Sequence, residues 1–506
     1  MSDSRTKNTA RNMKFGTLNQ TVNILLNFVN RTLIIQVLGV EYLGINSLFA
    51  DVLMMLSLAD LGLNTAMVYS FYQPLAQNDQ KKIAGLTKFY KKVYMFIALT
   101  VAVIGLACVP FLGYIVNLDS PIPYLELYYL FFLANTVISY LFVYKTSIIN
   151  ADQKNYLISK YQMWMNVAKT LLQSIFLLII SNFFIYLLIQ VVATFANNLI
   201  ASRKADQLYP YLKEVDHHLT KPEKKSIFEN MKSMFVYKVS RVFLNGTDNV
   251  LISILVGTIA VGFYANYYLV TMAVNRFIRI FFTSASASIG NVVATESPKK
   301  RFEIFQSMQT ISLIISSAAT VCLYVLFNDL INVWLGSKYL LDGVILIAIV
   351  VNFYLNTVMQ PIWSYRDATG LFVQMKFIML LAAAVNIALS IPMGIFFGMS
   401  GILFASAIAR LTTYFWYEPK QLFEQFLEEK VRNYYLPLIL NGLFTLALMA
   451  ILLPIFNRFV VDSWLELLLK AILVGFVTLL AVFVLYRKTA GYRMLFHRVK
   501  KFMPGK

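Results

Sequence analysis

The chain has 506 residues, 58% of them hydrophobic and only 14% charged, whereas soluble domains carry about 25% charged residues; a polytopic membrane protein is the class that fits. The formal charge of +19 does not point to nucleic acid, because Lys and Arg fall in loops between apolar segments, as they do in the cytoplasmic loops of membrane proteins. Cys108 and Cys322 lie in apolar segments without pairing or ligand spacing, and His217, His218 and His497 lie in basic stretches, so neither a metal site nor a cofactor is expected.

In chain order the hydropathy predicts about fourteen transmembrane helices. Their limits are 14–39, 43–72, 92–117, 122–148, 156–180, 182–202, 230–256, 258–289, 303–328, 343–365, 371–397, 400–417, 433–456 and 463–486. A span needs about 20 mostly apolar residues, and a backbone exposed to lipid must satisfy its own hydrogen bonds, which a helix does. The basic start (Arg5, Lys7, Arg11, Lys14) resembles the n-region of a signal peptide. The apolar segment after it is too long and too spotted with polar residues, so no cleavable signal is expected.

Orientation follows from the loops. One set holds Lys81, Lys82, Lys88, Lys91, Lys92, Lys154, Arg203, Lys204, Lys213, Lys221, Lys224, Lys225, Lys299, Lys300, Arg301, Arg366, Lys420, Lys430, Arg432 and the tail from Arg487; the alternate set offers only Lys338 and Arg458. The asymmetry predicts a multi-pass protein of the cytoplasmic membrane with both termini cytoplasmic. The longest outer loop, Asn328 to Asp342, reads equally as an interfacial turn anchored by Trp334 and Tyr339 or as an ordinary surface loop.

The stretch beginning at Asn12 returns at Asn230 without a gap. Asn12, Met13 and Lys14 match Asn230, Met231 and Lys232; Leu26 and Asn27 match Leu244 and Asn245; Leu33 and Ile34 match Leu251 and Ile252; Gly39 and Gly44 match Gly257 and Gly262. Apolar sequences align easily by chance, but the matched Asn, Lys and Gly residues are not apolar filler, and the match reads as an internal repeat. Six spans precede the second copy, so both copies start from the cytoplasmic side and the repeats are parallel. The expected organisation is a six-helix lobe (1–202), a basic cytoplasmic linker (203–229) and a second six-helix lobe (230–420). Two further helices (421–486), without a counterpart in the repeat, form an appendage, and a basic tail follows (487–506).

Charges stand at membrane depth, where each costs roughly 2.5–3.5 kcal/mol on insertion scales. Arg31 lies about eight residues from the outer end of its span, roughly 12 Å deep at about 1.5 Å per residue. Asp51 and Asp60 occupy the second span and Lys169 the fifth; Arg241 and Asp248 (in NGTDN) occupy the seventh, and Arg276 and Arg279 the eighth. Such residues face protein or water. They read either as a polar cavity that attracts an anionic substrate or as structural pairs, for example Arg31 with Asp51 or Asp248. Arg276, Arg279, Lys160 and Arg410 also fit a simpler reading, reaching toward lipid phosphates. Pro110, Pro361 and Pro392 each remove a helix hydrogen bond, and Pro361, mid-span in VMQPIW, is the hinge candidate.

The runs LGVEYLGINSLFADVLMMLSLADLGLNTAMVYSFYQPLAQND (Leu38 to Asp79) and FVYKVSRVFLNGTDNVLISILVGTIAVGFYANYYLV (Phe235 to Val270), with QLYPYL at Gln207, resemble the multidrug/oligosaccharidyl-lipid/polysaccharide exporter (MOP) superfamily. Within it the chain is similar to the Wzx-type flippases of Gram-positive capsule and exopolysaccharide clusters. The resemblance implies a MATE-like, all-α integral membrane fold: two parallel six-helix lobes around a central cavity, plus two C-terminal helices. It implies a substrate, an undecaprenyl-diphosphate-linked oligosaccharide repeat unit, moved from the cytoplasmic to the outer leaflet. The implied partners are membrane lipids and polysaccharide polymerase or export machinery. The family offers no short catalytic motif to carry over, and no enzyme is expected. The expected cavity residues, Arg31, Arg241, Asp248, Asp51, Asp60, Arg276 and Arg279, rest on the physical reading. A drug or cation exporter would favour an acidic cavity, and a peptidoglycan-precursor flippase would share the fold. A membrane glycosyltransferase or polymerase would need a larger outer loop than any present.

Overall fold

The computed structural model describes residues 5–494, apart from 58–59, 119, 216, 285, 372–373 and 490; the side chains of some further residues, Asp60 and Arg241 among them, lie outside the described residues. The described residues form helices and turns, with no strand among them. Packing divides the chain into two compact units, Met1–Gly262 and Phe263–Lys506.

The first unit holds α1 (Arg5–Val37), α2 (Val40–Leu56), α3 (Asp60–Ala76), α4 (Gln80–Cys108), α5 (Leu112–Ile115) and α6 (Leu125–Tyr140). It continues with α7 (Val143–Ala151), α8 (Asn155–Ile180), α9 (Phe183–Leu208), α10 (Tyr211–Glu214) and α11 (Lys221–Leu255). α12 (Thr258–Ser284) runs across the division. The second unit continues with α13 (Ser286–Thr295), α14 (Pro298–Leu335), α15 (Gly343–Val358), α16 (Gln360–Thr369), α17 (Lys376–Thr412), α18 (Tyr414–Leu422), α19 (Arg432–Phe456) and α20 (Trp464–Tyr486). The division falls beyond the linker 203–229 because α11 packs on α2 and α3.

The helix starts carry side-chain caps that satisfy amides left open at every helix N-terminus. Asp79 accepts from the Lys82 amide at α4, Asn182 from the Phe184 amide at α9, and Asp342 from the Val344 amide at α15. Reciprocal Thr220–Glu223 and Ser463–Glu466 boxes start α11 and α20. The QLYPYL run ends α9 with the buried Tyr209, whose hydroxyl donates to Asp152 at 2.7 Å while Lys154 pairs with the same carboxylate at 2.6 Å.

All fourteen expected spans have a helical counterpart. Among the described residues eight helices are by themselves long and apolar enough to cross a membrane, or nine if α6 and α7, bent by 47°, form one span. Two causes account for the rest. The run Lys376–Leu427 holds two expected spans, broken at Gly398 (φ 59°, ψ −140°). And α1, α2 with α3, α11, and α12 with α13 do not meet that measure of length and hydropathy over their described residues; these same helices carry Arg31, Asp51, Asp60, Arg241, Asp248, Arg276 and Arg279.

The sequence repeat is written into the helix ends. The offset from Asn12 to Asn230 is 218 residues, and the same offset relates the end of α1 (Val37) to that of α11 (Leu255). It relates the starts of α2 (Val40) and α12 (Thr258), and those of α4 (Gln80) and α14 (Pro298). The turns agree in detail. Leu38 and Gly39 both donate to the Ile34 carbonyl, and Val256 and Gly257 both donate to that of Ile252. Gly39 and Gly257 have φ of 107° and 131°, a region that glycine enters without steric cost.

Pro361 stands two residues after a break in the helix. α15 ends at Val358 and α16 begins at Gln360, so the break falls at Met359 and Pro361 sits in the first turn of α16, where a missing N–H costs little. The first copy breaks at the matching place, between Tyr140 of α6 and Val143 of α7, although Val143 there stands where Pro361 stands later. The break belongs to the fourth span of each copy.

The last two helices are not a loose appendage. α14 packs against α15, α19 and α20, and its buried Ser312, Ser316, Ser317 and Thr320 let helices approach closely. Asn441 of α19 is a hub: it donates to Ser317 (2.7 Å) and to the Tyr486 hydroxyl (2.7 Å), and accepts from Tyr354 (2.7 Å). Lys470 of α20 pairs with Asp329 of α14 at 2.7 Å. The outer segment 328–342 is mostly the end of α14, and Tyr339 is buried, 5.6 Å from the Phe263 ring.

Candidate substrate-contacting site

α1 carries a stripe of polar residues inside an apolar chain. Asn19, Asn23, Asn27, Asn30 and Arg31 recur at spacings of three and four residues, which places them on one face. α8 answers with Asn166, Lys169 and Gln173 at the same kind of spacing, and the two helices lie along one another. Their side chains form a ladder. Asn23 donates to Asn19 (3.1 Å) and accepts from Asn166 (2.8 Å); Asn30 donates to Gln173 (3.4 Å), whose amide donates to the Tyr186 carbonyl of α9 (3.0 Å). Arg31 stands close enough to Tyr186 to act on it electrostatically. Lys169 is half-buried between Asn166 and Gln173, and among the described residues no carboxylate pairs with it.

Asp51 of α2 has a different partner from the one its charge suggests. Asn249 of α11, itself buried, donates a short hydrogen bond to its carboxylate, and Asp248 is near enough for the two acids to repel. Asp51 is held by an amide, not by Arg31. Of the expected residues, then, Asp51 and Asp248 come together on α2 and α11, while Arg31 sits on the α1–α8–α9 ladder. In the second unit Arg276 is half-buried and Arg279 exposed on α12. The side chains of Asp60 and Arg241 lie outside the described residues.

Two cations depart from the loop or lipid-phosphate reading. Arg366 is buried, 3.3 Å from the buried Glu418 and 2.9 Å from Asp367, and Arg410 is also buried. The sequence reading missed the asparagine ladder and Asn249. The signal for the ladder was present as asparagines at helical spacing along one span; nothing local marks Asn249 as the donor for a residue 198 positions away.

This arrangement can bind an anionic, polyhydroxylated head. Amides offer paired donors and acceptors to hydroxyl groups, and a cation without a counter-charge in a low-dielectric region attracts an anion strongly. Among the described residues no three His, Cys, Asp or Glu side chains gather as metal ligands.

The model of the family described as polysaccharide biosynthesis protein matches residues 9–287. No curated protein matches the chain. Among solved structures the chain is similar to the lipid II flippase MurJ in an inward closed conformation (TM-score 0.67, 14% identity, 94% of this chain and 99% of that one). It is similar to an inward-facing multidrug resistance MATE family transporter of the MOP superfamily (0.58, 13%, 78% and 93%). It is also similar to the Vibrio cholerae MATE transporter VcmN (0.58, 13%, 84% and 99%). At these identities the likeness is one of fold.

Proposed function

The chain belongs to the polysaccharide biosynthesis protein family, and we propose that it flips undecaprenyl-diphosphate-linked oligosaccharide repeat units across the cytoplasmic membrane for capsule or exopolysaccharide assembly. The observation that carries this reading is Lys169, a half-buried cation without a carboxylate partner among the described residues, set on an amide ladder that also bears Arg31. A diphosphate supplies the missing counter-charge and a glycan the hydroxyl groups; neither crosses hydrocarbon unaided. The polyprenyl tail stays in lipid while the head passes. The chain acts as a transporter, not an enzyme, by alternating access of its two repeated halves, 1–202 and 230–420, with 203–229 as a cytoplasmic linker and both termini in the cytoplasm. The recurrence of helix ends at a constant offset supports the two halves.

The test is deletion of the gene. Lipid-linked repeat units should accumulate on the cytoplasmic side. Normal export in the deletion strain overturns the reading, and accumulation of a peptidoglycan precursor instead reassigns the cargo to the related flippase class. Orientation is tested separately. Cysteines near Lys81, Lys221 and Lys299 should react only with a permeant thiol reagent, and cysteines near Asp119 and Lys338 with an impermeant one.

A further inference from the structure

The turn between α1 and α2 and the turn between α11 and α12 are copies of one sequence element, and each is notched to receive the other. Gly44, in the first turns of α2, leaves room for the Thr258 backbone: a Cβ at Gly44 would overlap the Thr258 carbonyl. Its repeat mate Gly262 does the same for Val40, the repeat mate of Thr258. A Cβ at Gly262 would stand 2.6 Å from the Val40 carbonyl oxygen and 3.2 Å from the Gly44 amide. Two substitutions of one hydrogen by a methyl would drive both contacts apart.

A hydrogen-bonded clasp closes over this notch. The Thr258 amide donates to the Asn117 carbonyl (2.8 Å), and the Asn117 amide donates to the Thr258 hydroxyl (2.9 Å). The Ser253 hydroxyl donates to the Ile115 carbonyl (2.7 Å), which leaves the Thr258 hydroxyl to donate to Ser253 (2.8 Å). Ser253 and Thr258 are fully buried. All three turns, 37–40, 115–118 and 256–258, lie at helix ends opposite the basic loops.

We propose that this interlock is a latch. Gly44 and Gly262 permit the two turns to mesh, Asn117, Ser253 and Thr258 fasten them, and the turns must part once in every transport cycle to release cargo on that side. The inference rests on the transport reading above. A latch made of neutral hydrogen bonds, each of modest net strength because water competes for the same groups, is weak enough to open and yet specific in register, because a bulkier residue at either glycine cannot mesh.

The experiment places a cysteine pair, Asn117→Cys with Thr258→Cys, in a chain carrying Cys108→Ala and Cys322→Ala. In membranes the pair should cross-link on mild oxidation, stop translocation of the lipid-linked substrate, and recover on reduction. Adding Gly44→Ala should lower the cross-linked fraction, a readout that needs no substrate. Translocation that survives complete cross-linking overturns the latch, as does a pair that never cross-links or a yield that Gly44→Ala leaves unchanged. A reduced chain and a parent that both move none of this substrate sink the transport reading instead, and the yield measurement still decides whether the turns mesh.

Discussion

Asn12 of α1 caps a helix that it does not belong to: its side-chain oxygen accepts the Tyr156 amide at 2.7 Å, and its amide donates to the Gln153 carbonyl at 2.8 Å. α8 begins at Asn155 with Lys154 in the capping position and no side-chain cap of its own. The asparagine shared by the starts of both repeat copies therefore has a structural task in the first. Asn12→Ala should lower stability by about 1 kcal/mol, the usual loss for a helix cap. Asn12→Asp, which keeps the acceptor, should cost less. Thermal unfolding in detergent orders the variants; an Ala variant as stable as the parent would show that water replaces the cap.

Arg31 and Lys169, proposed to meet the substrate, and Arg241, expected from the sequence to line the cavity, are tested together. Arg31→Ala, Arg241→Ala and Lys169→Met should abolish export while the protein still reaches the membrane. Arg31→Lys should recover part of it, since it keeps the charge and loses the bidentate fork that suits phosphate. Protein level and repeat-unit export measured side by side separate this from a folding defect, which lowers both in proportion. Normal export in all three neutral variants removes the cations from the mechanism.

Lys470 and Asp329 test how the C-terminal helices are held. The Lys470 side chain is 4% exposed and also donates to the Phe459 carbonyl at 3.2 Å. Removing one partner of a buried pair costs about 3–5 kcal/mol, because the other charge remains without compensation. Lys470→Leu or Asp329→Leu alone should be strongly destabilised, and the double variant should recover much of the loss. A double variant no better than the worse single would show that the two charges do not act as a pair.

Glu223 gives a pH dependence outside the membrane. The Thr220 amide and hydroxyl hold its carboxyl below the ordinary value, with a smaller contribution from Lys82, 3.5 Å away. A depressed folded-state value means that the capping box stabilises α11 above the ordinary carboxylate pKa and loses that contribution as pH falls through the depressed one. Glu223→Gln, which removes the titrating group, should flatten the acid limb of the stability curve and leave the neutral limb merely lowered. An acid limb of unchanged shape would assign the acid sensitivity to other groups.

The spans were legible because a bilayer imposes length and hydropathy on them, and the matched glycines because Gly39 and Gly257 occupy backbone conformations that other residues resist. The break at Gly398 falls in the gap between the expected spans 371–397 and 400–417. Charge partners were not legible. Arg366 reads as a loop cation until Glu418, 52 residues on, is seen folded against it. Asp51 reads as a mate for Arg31 until Asn249 arrives from α11. A pattern along one helix shows which face is polar, but which distant side chain meets that face is decided by packing, and the asparagine ladder between α1 and α8 joins residues 143 apart.

The paired breaks in the fourth spans bear on the history of the gene. A helix interruption stands at Leu141 and again at Met359, at one offset in both halves, while a proline follows only the second. If the halves descend from a duplicated ancestor, parsimony puts the interruption in that ancestor. Pro361 then counts as a later acquisition that settled beside an interruption already made, at a first-turn position where no intrahelical hydrogen bond was lost.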